Sequence, residues 1–181
     1  MKKILSVLML LLLSISIYAQ QNVTKFLGIP VDGSKAAMIQ KIRAKGFRYN
    51  AQIDKLEGTF NGEKVYVSIQ TNKNRVWRIA VTYKTPCDEG QIKIRYNNLC
   101  RQFESNTKYI ALETTQVLSD DEDISYKMTV DHKQYEAIYF QLPREGIQNR
   151  IVWFTIQEVF GEYHIVMYYE NKNNASHGED L

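Results

Sequence analysis

FRYNAQIDKLEGTFNGEKVYVSIQTNKNRVWRIAVTY, residues 47–83, alternates apolar and polar side chains and is punctuated by two turn signals. Phe47, Tyr49 and Ala51 alternate with Arg48, Asn50 and Gln52, the period of two that belongs to a strand with one buried face. Asn61-Gly62 separates the apolar runs 56–60 and 65–69, and both residues tolerate the positive φ that a two-residue hairpin demands. The polar triplet Asn72-Lys73-Asn74 turns the chain again, into a strand over 75–83. The stretch therefore predicts an antiparallel meander.

Upstream of the meander the period is helical. Ser34 stands where an N-cap belongs, Met38, Ile39 and Ile42 share one helical face, and Gly46 occupies the left-handed position after the last turn. Downstream, Thr85-Pro86 breaks the strand. Asp88 then opens a second helix, with Gln91 three residues on and Ile92, Tyr96, Leu99 and Phe103 at helical spacing. A less regular stretch at 109–118 is expected to contain a strand, and the acidic loop Asp120-Asp121-Glu122-Asp123 follows it. Strands are predicted over 124–130, 134–142 and 150–158, and Gly161-Glu162 turns into a last one over 163–170.

A helix followed by antiparallel strands thus occurs twice. The octet Asn74-Arg75-Val76-Trp77-Arg78-Ile79-Ala80-Val81 matches Asn149-Arg150-Ile151-Val152-Trp153-Phe154-Thr155-Ile156 at an offset of 75 residues. The expected fold is α+β: two tandem helix-plus-antiparallel-sheet units, over 20–84 and 85–170, with helices packed on one sheet face. The polar tail 171–181 is expected to be disordered.

This tandem arrangement resembles the architecture of the β-lactamase inhibitor protein. No inhibitory residue matches position by position, so the resemblance implies a fold and no function. The phrases Phe26-Leu27-Gly28-Ile29-Pro30-Val31-Asp32-Gly33-Ser34, Lys45-Gly46-Phe47 and Glu122-Asp123-Ile124-Ser125-Tyr126 resemble a family of uncharacterised exported proteins from Gram-negative bacteria. That second resemblance covers most of the chain.

The N-terminus, MKKILSVLMLLLLSISIYAQ, has the layout of a cleavable secretory signal over 1–19. Lys2 and Lys3 supply the positive start, an apolar run follows, and the small Ala19 precedes Gln20. The run is shorter than the roughly 20 residues a membrane-crossing helix needs. Export to the periplasm or beyond is the expectation. Loss of Lys2 and Lys3 leaves 21 basic against 20 acidic residues. That balance gives no electrostatic case for nucleic acid, which calls for a clustered basic surface. No later segment is apolar enough to span a membrane.

Export permits a disulfide, and Cys87 and Cys100 are the only cysteines. Cys87 precedes the predicted helix and Cys100 lies within it. At about 1.5 Å of rise per residue they stand about 20 Å apart, too far for a bridge unless the helix starts later. Cys87 at a helix N-terminus is either an activated thiol or an incidental one. His132, His164 and His177 show no metal-ligand spacing, and the acidic run lacks the alternating ligands and glycine of a calcium loop. There is no phosphate-binding glycine loop, nucleophile elbow or HExxH motif. No cofactor, metal or catalytic residue is assigned.

Two functions of different class stand: a non-catalytic protein whose sheet engages a protein or cell-envelope ligand, and a small secreted hydrolase of unrecognised type. For the first, alternation directs Trp77, Ile79 and Val81, and Val152, Phe154 and Ile156, toward the helices. On the neighbouring strands it buries Ile138, Phe140 and Leu142, and Ile165, Met167 and Tyr169. The outer face then collects Tyr135, Tyr139, Trp153, Tyr168, Ile151 and Val166 as candidate binding residues; Tyr66, Val76 and Arg78 make the less aromatic equivalent in the first unit. Tyr and Trp suit such a role because they bury a large area and keep a polar handle, although cross-strand pairing alone would also place them there. N-terminal sequencing of protein from its native host is expected to begin at or near Gln20.

Overall fold

The computed structural model describes residues 22–114 and 116–175. Residues 1–21, which include the expected leader, residue 115 and residues 176–181 of the tail lie outside them. The chain is α+β and mostly sheet. A short hairpin, β1 (Lys25–Phe26) and β2 (Ile29–Pro30), leads to α1 (Lys35–Arg43), then β3 (Arg48–Asn50), β4 (Lys55–Phe60), β5 (Glu63–Asn72) and β6 (Arg75–Tyr83). After α2 (Glu89–Ser105) come β7 (Tyr109–Ala111), α3 (Ile124–Thr129), β8 (Glu136–Gln141), β9 (Arg150–Val159) and β10 (Glu162–Asn171). Strands β3 to β10 form one antiparallel sheet in the order β3-β4-β5-β6-β10-β9-β8-β7.

Local chemistry explains most boundaries. Ser34 accepts the Ala37 N–H and Asp88 accepts the Gln91 N–H, so both longer helices start at the side chains that cap them. The β4–β5, β5–β6 and β9–β10 connections are two-residue loops, Asn61-Gly62, Lys73-Asn74 and Phe160-Gly161. Both residues of each loop have positive φ, as the turn that matches strand twist requires.

The register stacks one apolar row upon another. Leu56, Val67, Val81, Met167, Phe154 and Ala137 are successive cross-strand neighbours, and Ile69, Ile79, Tyr169, Val152 and Tyr139 form the next row. All are buried. Met38 and Ile42 of α1 belong to the same core, and α2 lays Tyr96 and Phe103 against Phe154, with ring centroids 5.0 and 5.7 Å apart. Ala137 opposite Phe154 leaves room for that ring.

Four expectations need correction. Residues 124–129 are a helix, not a strand: Asp123 accepts the Tyr126 N–H, and Glu89 of α2 accepts the Ile124 N–H at 2.7 Å. A cap and a neighbouring carboxylate thus override an accidental period of two. Strand β8 faces opposite to the expected way. Tyr135 and Tyr139 are 2% and 0% exposed on the core side, while Ile138 and Phe140 lie outward and Leu142 is exposed. Burial of the two phenols is tolerated because each hydroxyl donates, Tyr135 to Glu122 at 2.6 Å and Tyr139 to the Cys100 carbonyl at 3.5 Å.

In β6, a register shift opposite Gln70–Thr71 leaves Trp77 as an extra residue. This bulge puts Val76 in the core and Trp77 beside Arg78, reversing the expected placement of both. Finally, residues 171–175 are ordered. Asn171 ends β10 and donates to the Val31 carbonyl, and Asn174 donates to Asp32 and to the Val76 carbonyl.

Phe154 is fully buried among Tyr96, Phe103 and Tyr139. Phe154→Ala is therefore expected to cost about 3–5 kcal/mol in urea unfolding. Gln157→Ala on the same strand, at an exposed position, should stay within about 0.5 kcal/mol of the parent.

Candidate interaction face of the sheet

The second face of the sheet has its own rows. Gln70, Arg78, Glu170, Ile151 and Phe140 are cross-strand neighbours; Ser68, Ala80, Tyr168, Trp153 and Ile138 form the next row; Tyr66, Thr82, Val166, Thr155 and Glu136 the third. The division is uneven. Strands β8, β9 and β10 contribute the half-buried Ile138, Phe140, Ile151, Trp153 and Tyr168, whereas β5 and β6 contribute mainly polar groups.

At the junction of the two halves sits Glu170, a carboxylate only 1% exposed on the face that the core does not occupy. Arg78, directly across from it on β6, donates through Nε at 2.8 Å and pairs through its terminal nitrogen at 2.5 Å. Trp153 donates its indole N–H to the same oxygen at 2.9 Å, and Lys172 pairs with the other oxygen at 2.5 Å. Burial pushes the Glu170 carboxyl up. The bonds from Lys172 and Trp153 and the charge of Arg78 outweigh that and hold it below the ordinary value.

The same contacts order the aromatic side chains. Trp153 stacks on its cross-strand partner Tyr168 with centroids 4.2 Å apart and 26° between planes. The Arg78 guanidinium lies 4.1 Å from the Trp77 ring, 4.9 Å from Tyr168 and 5.9 Å from Trp153. Three rings thus surround a cation whose charge is already balanced by Glu170, a rigid arrangement at low conformational cost.

Of the six candidate binding residues, the structure brings Trp153, Tyr168, Ile151 and Val166 to this face. Val166 is itself buried there. Tyr135 and Tyr139 are core residues and drop out. Sequence reasoning missed Trp77, Ile138 and Phe140, because a bulge and the facing of β8 decide them. It also missed Glu170, whose only signal was an acidic residue ending an otherwise apolar strand.

Toward its other end the face has a shallow cavity of about 180 Å³ bordered by Tyr66, Lys84, Gln157 and His164. Lys84 is engaged by Glu57 at 2.7 Å, and its ammonium lies 4.0 Å from the Tyr66 ring. His164 Nδ1 is 3.1 Å from the Tyr83 carbonyl.

Other chemistry is muted. Cys87 and Cys100 are both free and buried; burial pushes the Cys87 thiol up and the Cys100 thiol up to about 11, the reverse of nucleophile activation. Among the described residues no three His, Cys, Asp or Glu side chains gather as metal ligands, and no helix is long and apolar enough to cross a membrane. In the acidic loop, Glu122 pairs with Lys133 at 2.5 Å and Asp123 caps α3. No known family model, curated protein or solved structure matches the chain.

Because the Glu170 carboxyl is held low in the folded protein, its stabilising contribution is complete above the unfolded value, about 4.3, and is lost as pH falls through the folded one. Glu170→Gln is expected to lower stability at pH 7 by about 2–3 kcal/mol, since Arg78 and Lys172 keep partial access to water. The gap between the urea midpoints of parent and variant should therefore shrink progressively as pH falls below about 4.3.

Proposed function

We propose that this is an exported, non-catalytic binding protein, and that the aromatic half of its outer sheet face engages a protein or cell-envelope ligand. The observation that carries the reading is the patch formed by Ile138, Phe140, Ile151, Trp153 and Tyr168. Three adjacent strands present it on the face opposite the core, and the Arg78–Glu170 pair fixes its edge. Apolar and aromatic side chains gathered on one surface and rimmed by charge are the composition of an interface centre. Such a patch on a continuous sheet suits a broad partner better than a small substrate, which a closed pocket with convergent ionisable groups would serve.

The architecture is read with it as two copies of one unit, a helix followed by a four-stranded meander. The element order supports this, as does a strand order in which β3-β4-β5-β6 is mirrored by β7-β8-β9-β10 about the β6–β10 pair. In that correspondence β6 answers to β10. The octet match aligns β6 with β9 and is therefore a likeness of strand composition, not of position. The helices would lie on one side and leave the other to the partner.

The test is capture of envelope components by the purified mature chain, compared with the double variant Trp153→Ala, Tyr168→Ala and with the exposed control Ile94→Ala on α2. A component that is retained by parent and control and falls at least tenfold with the double variant, at unchanged circular dichroism, supports the face. Equal capture by all three proteins removes it as the binding surface.

A further inference from the structure

We infer that the cavity between α2 and the core face of the sheet is a second binding site, for a small uncharged molecule with an apolar body and one hydrogen-bond acceptor. This inference is independent of the role given to the outer face. The cavity holds about 210 Å³. Leu99 and Phe103 wall it from the helix, and Phe60, Tyr109, Met167 and Tyr169 from the sheet. An apolar cavity of about 150 Å³ takes a benzene ring, and sites for drug-sized molecules begin near 300 Å³. The space therefore suits a single ring or a short chain of roughly six to ten heavy atoms.

The lining excludes charge. It carries no carboxylate, ammonium or guanidinium. Its only titratable groups are the phenols of Tyr109 and Tyr169, which burial keeps protonated. An ion placed there would lose its hydration without a counter-charge.

The phenols also supply the polar contact. Tyr109 accepts from the Gln141 side chain at 3.1 Å, and the Tyr169 phenol lines the same cavity. The two phenols carry two O–H donors and at most one can serve the other, so at least one is left to donate. A ligand carbonyl or ether oxygen would take it. At the mouth, Asn61 on the β4–β5 turn donates to Gln102 on α2 at 2.7 Å, with Asn106 beside them. These are exposed side chains that can part and re-form their bond, so they give a polar rim without sealing the cavity.

The experiment titrates the mature chain with acetophenone, followed by two-dimensional amide NMR. Shifts are expected at α2, the β4–β5 turn and β10, with a Kd at or below about 1 mM for this nine-heavy-atom probe. Benzoate, with the same ring and a charge, should bind at least tenfold more weakly. The double variant Tyr109→Phe, Tyr169→Phe should weaken acetophenone about fivefold and leave toluene unchanged. Leu99→Trp fills the cavity and should abolish the shifts. Because that buried substitution can cost folding, Gln102→Trp at the exposed rim serves as a second block that leaves the core intact. Absence of acetophenone shifts at these residues up to about 10 mM overturns the site. So do shifts that persist in both Trp variants; equal binding of benzoate overturns the ligand class.

Discussion

Five residue pairs, from Val166–Thr82 to Glu170–Arg78, join β10 to β6 and make one sheet of two four-stranded meanders. Without them β6 and β10 would be the exposed edges of separate small sheets, and each is a long, apolar strand. An unpaired edge of that kind invites association with other chains. Pairing satisfies both edges at once and makes the core rows continuous across Ile79, Val81, Met167 and Tyr169. The outer edges of the sheet are β3 and β7, three residues each, too short to template much pairing.

The same seam explains the buried carboxylate. Glu170 sits at the last β10–β6 pair with Arg78 as its direct neighbour, so the ion pair forms where the two meanders meet. Removing one partner of a buried ion pair is costly, but replacing the whole pair by apolar side chains of similar volume is often neutral or stabilising. The case for Glu170 is therefore one of orientation more than of stability. It binds the indole N–H of Trp153 and the guanidinium of Arg78 together, and so fixes the rotamers of the two side chains around which Trp77 and Tyr168 pack. The N-terminal segment is tied to the same place, since the Thr24 hydroxyl donates to the Glu170 carbonyl.

What was legible in the sequence was local. Ser34 and Asp88 cap their helices because a hydroxyl or carboxylate one turn away is all the first N–H groups need. Asn61-Gly62 turns because both residues accept positive φ. What was not legible depends on distant partners. Tyr139 alternates with Ile138 and Phe140, and hydropathy favours burying the latter two. The carbonyl of Cys100 and the ring of Phe103, 4.5 Å away, decide the contest for the tyrosine. Trp77 follows from a one-residue bulge that no alternation pattern contains, and α3 from a carboxylate 35 positions earlier in the chain. Half of the candidate face was thus readable from β9 and β10, whose alternation is undisturbed, and Arg78 on β6 with it, whereas Trp77 and the residues of β8 were not.

Strand β10 links the two surfaces through its alternation. Met167 and Tyr169 point into the cavity beside α2, while Tyr168 and Glu170 point to the opposite face. A molecule in the cavity and a partner on the face would therefore lie on either side of one strand without touching. Coupling between them would have to pass through the backbone of β10. That strand is held by ten register pairs to β9 and five to β6 at the centre of the sheet, which leaves little freedom to shift it alone. Significant coupling requires an element with two arrangements, and a central strand paired on both sides is a poor candidate for one. The two proposed sites would therefore share a scaffold and act independently.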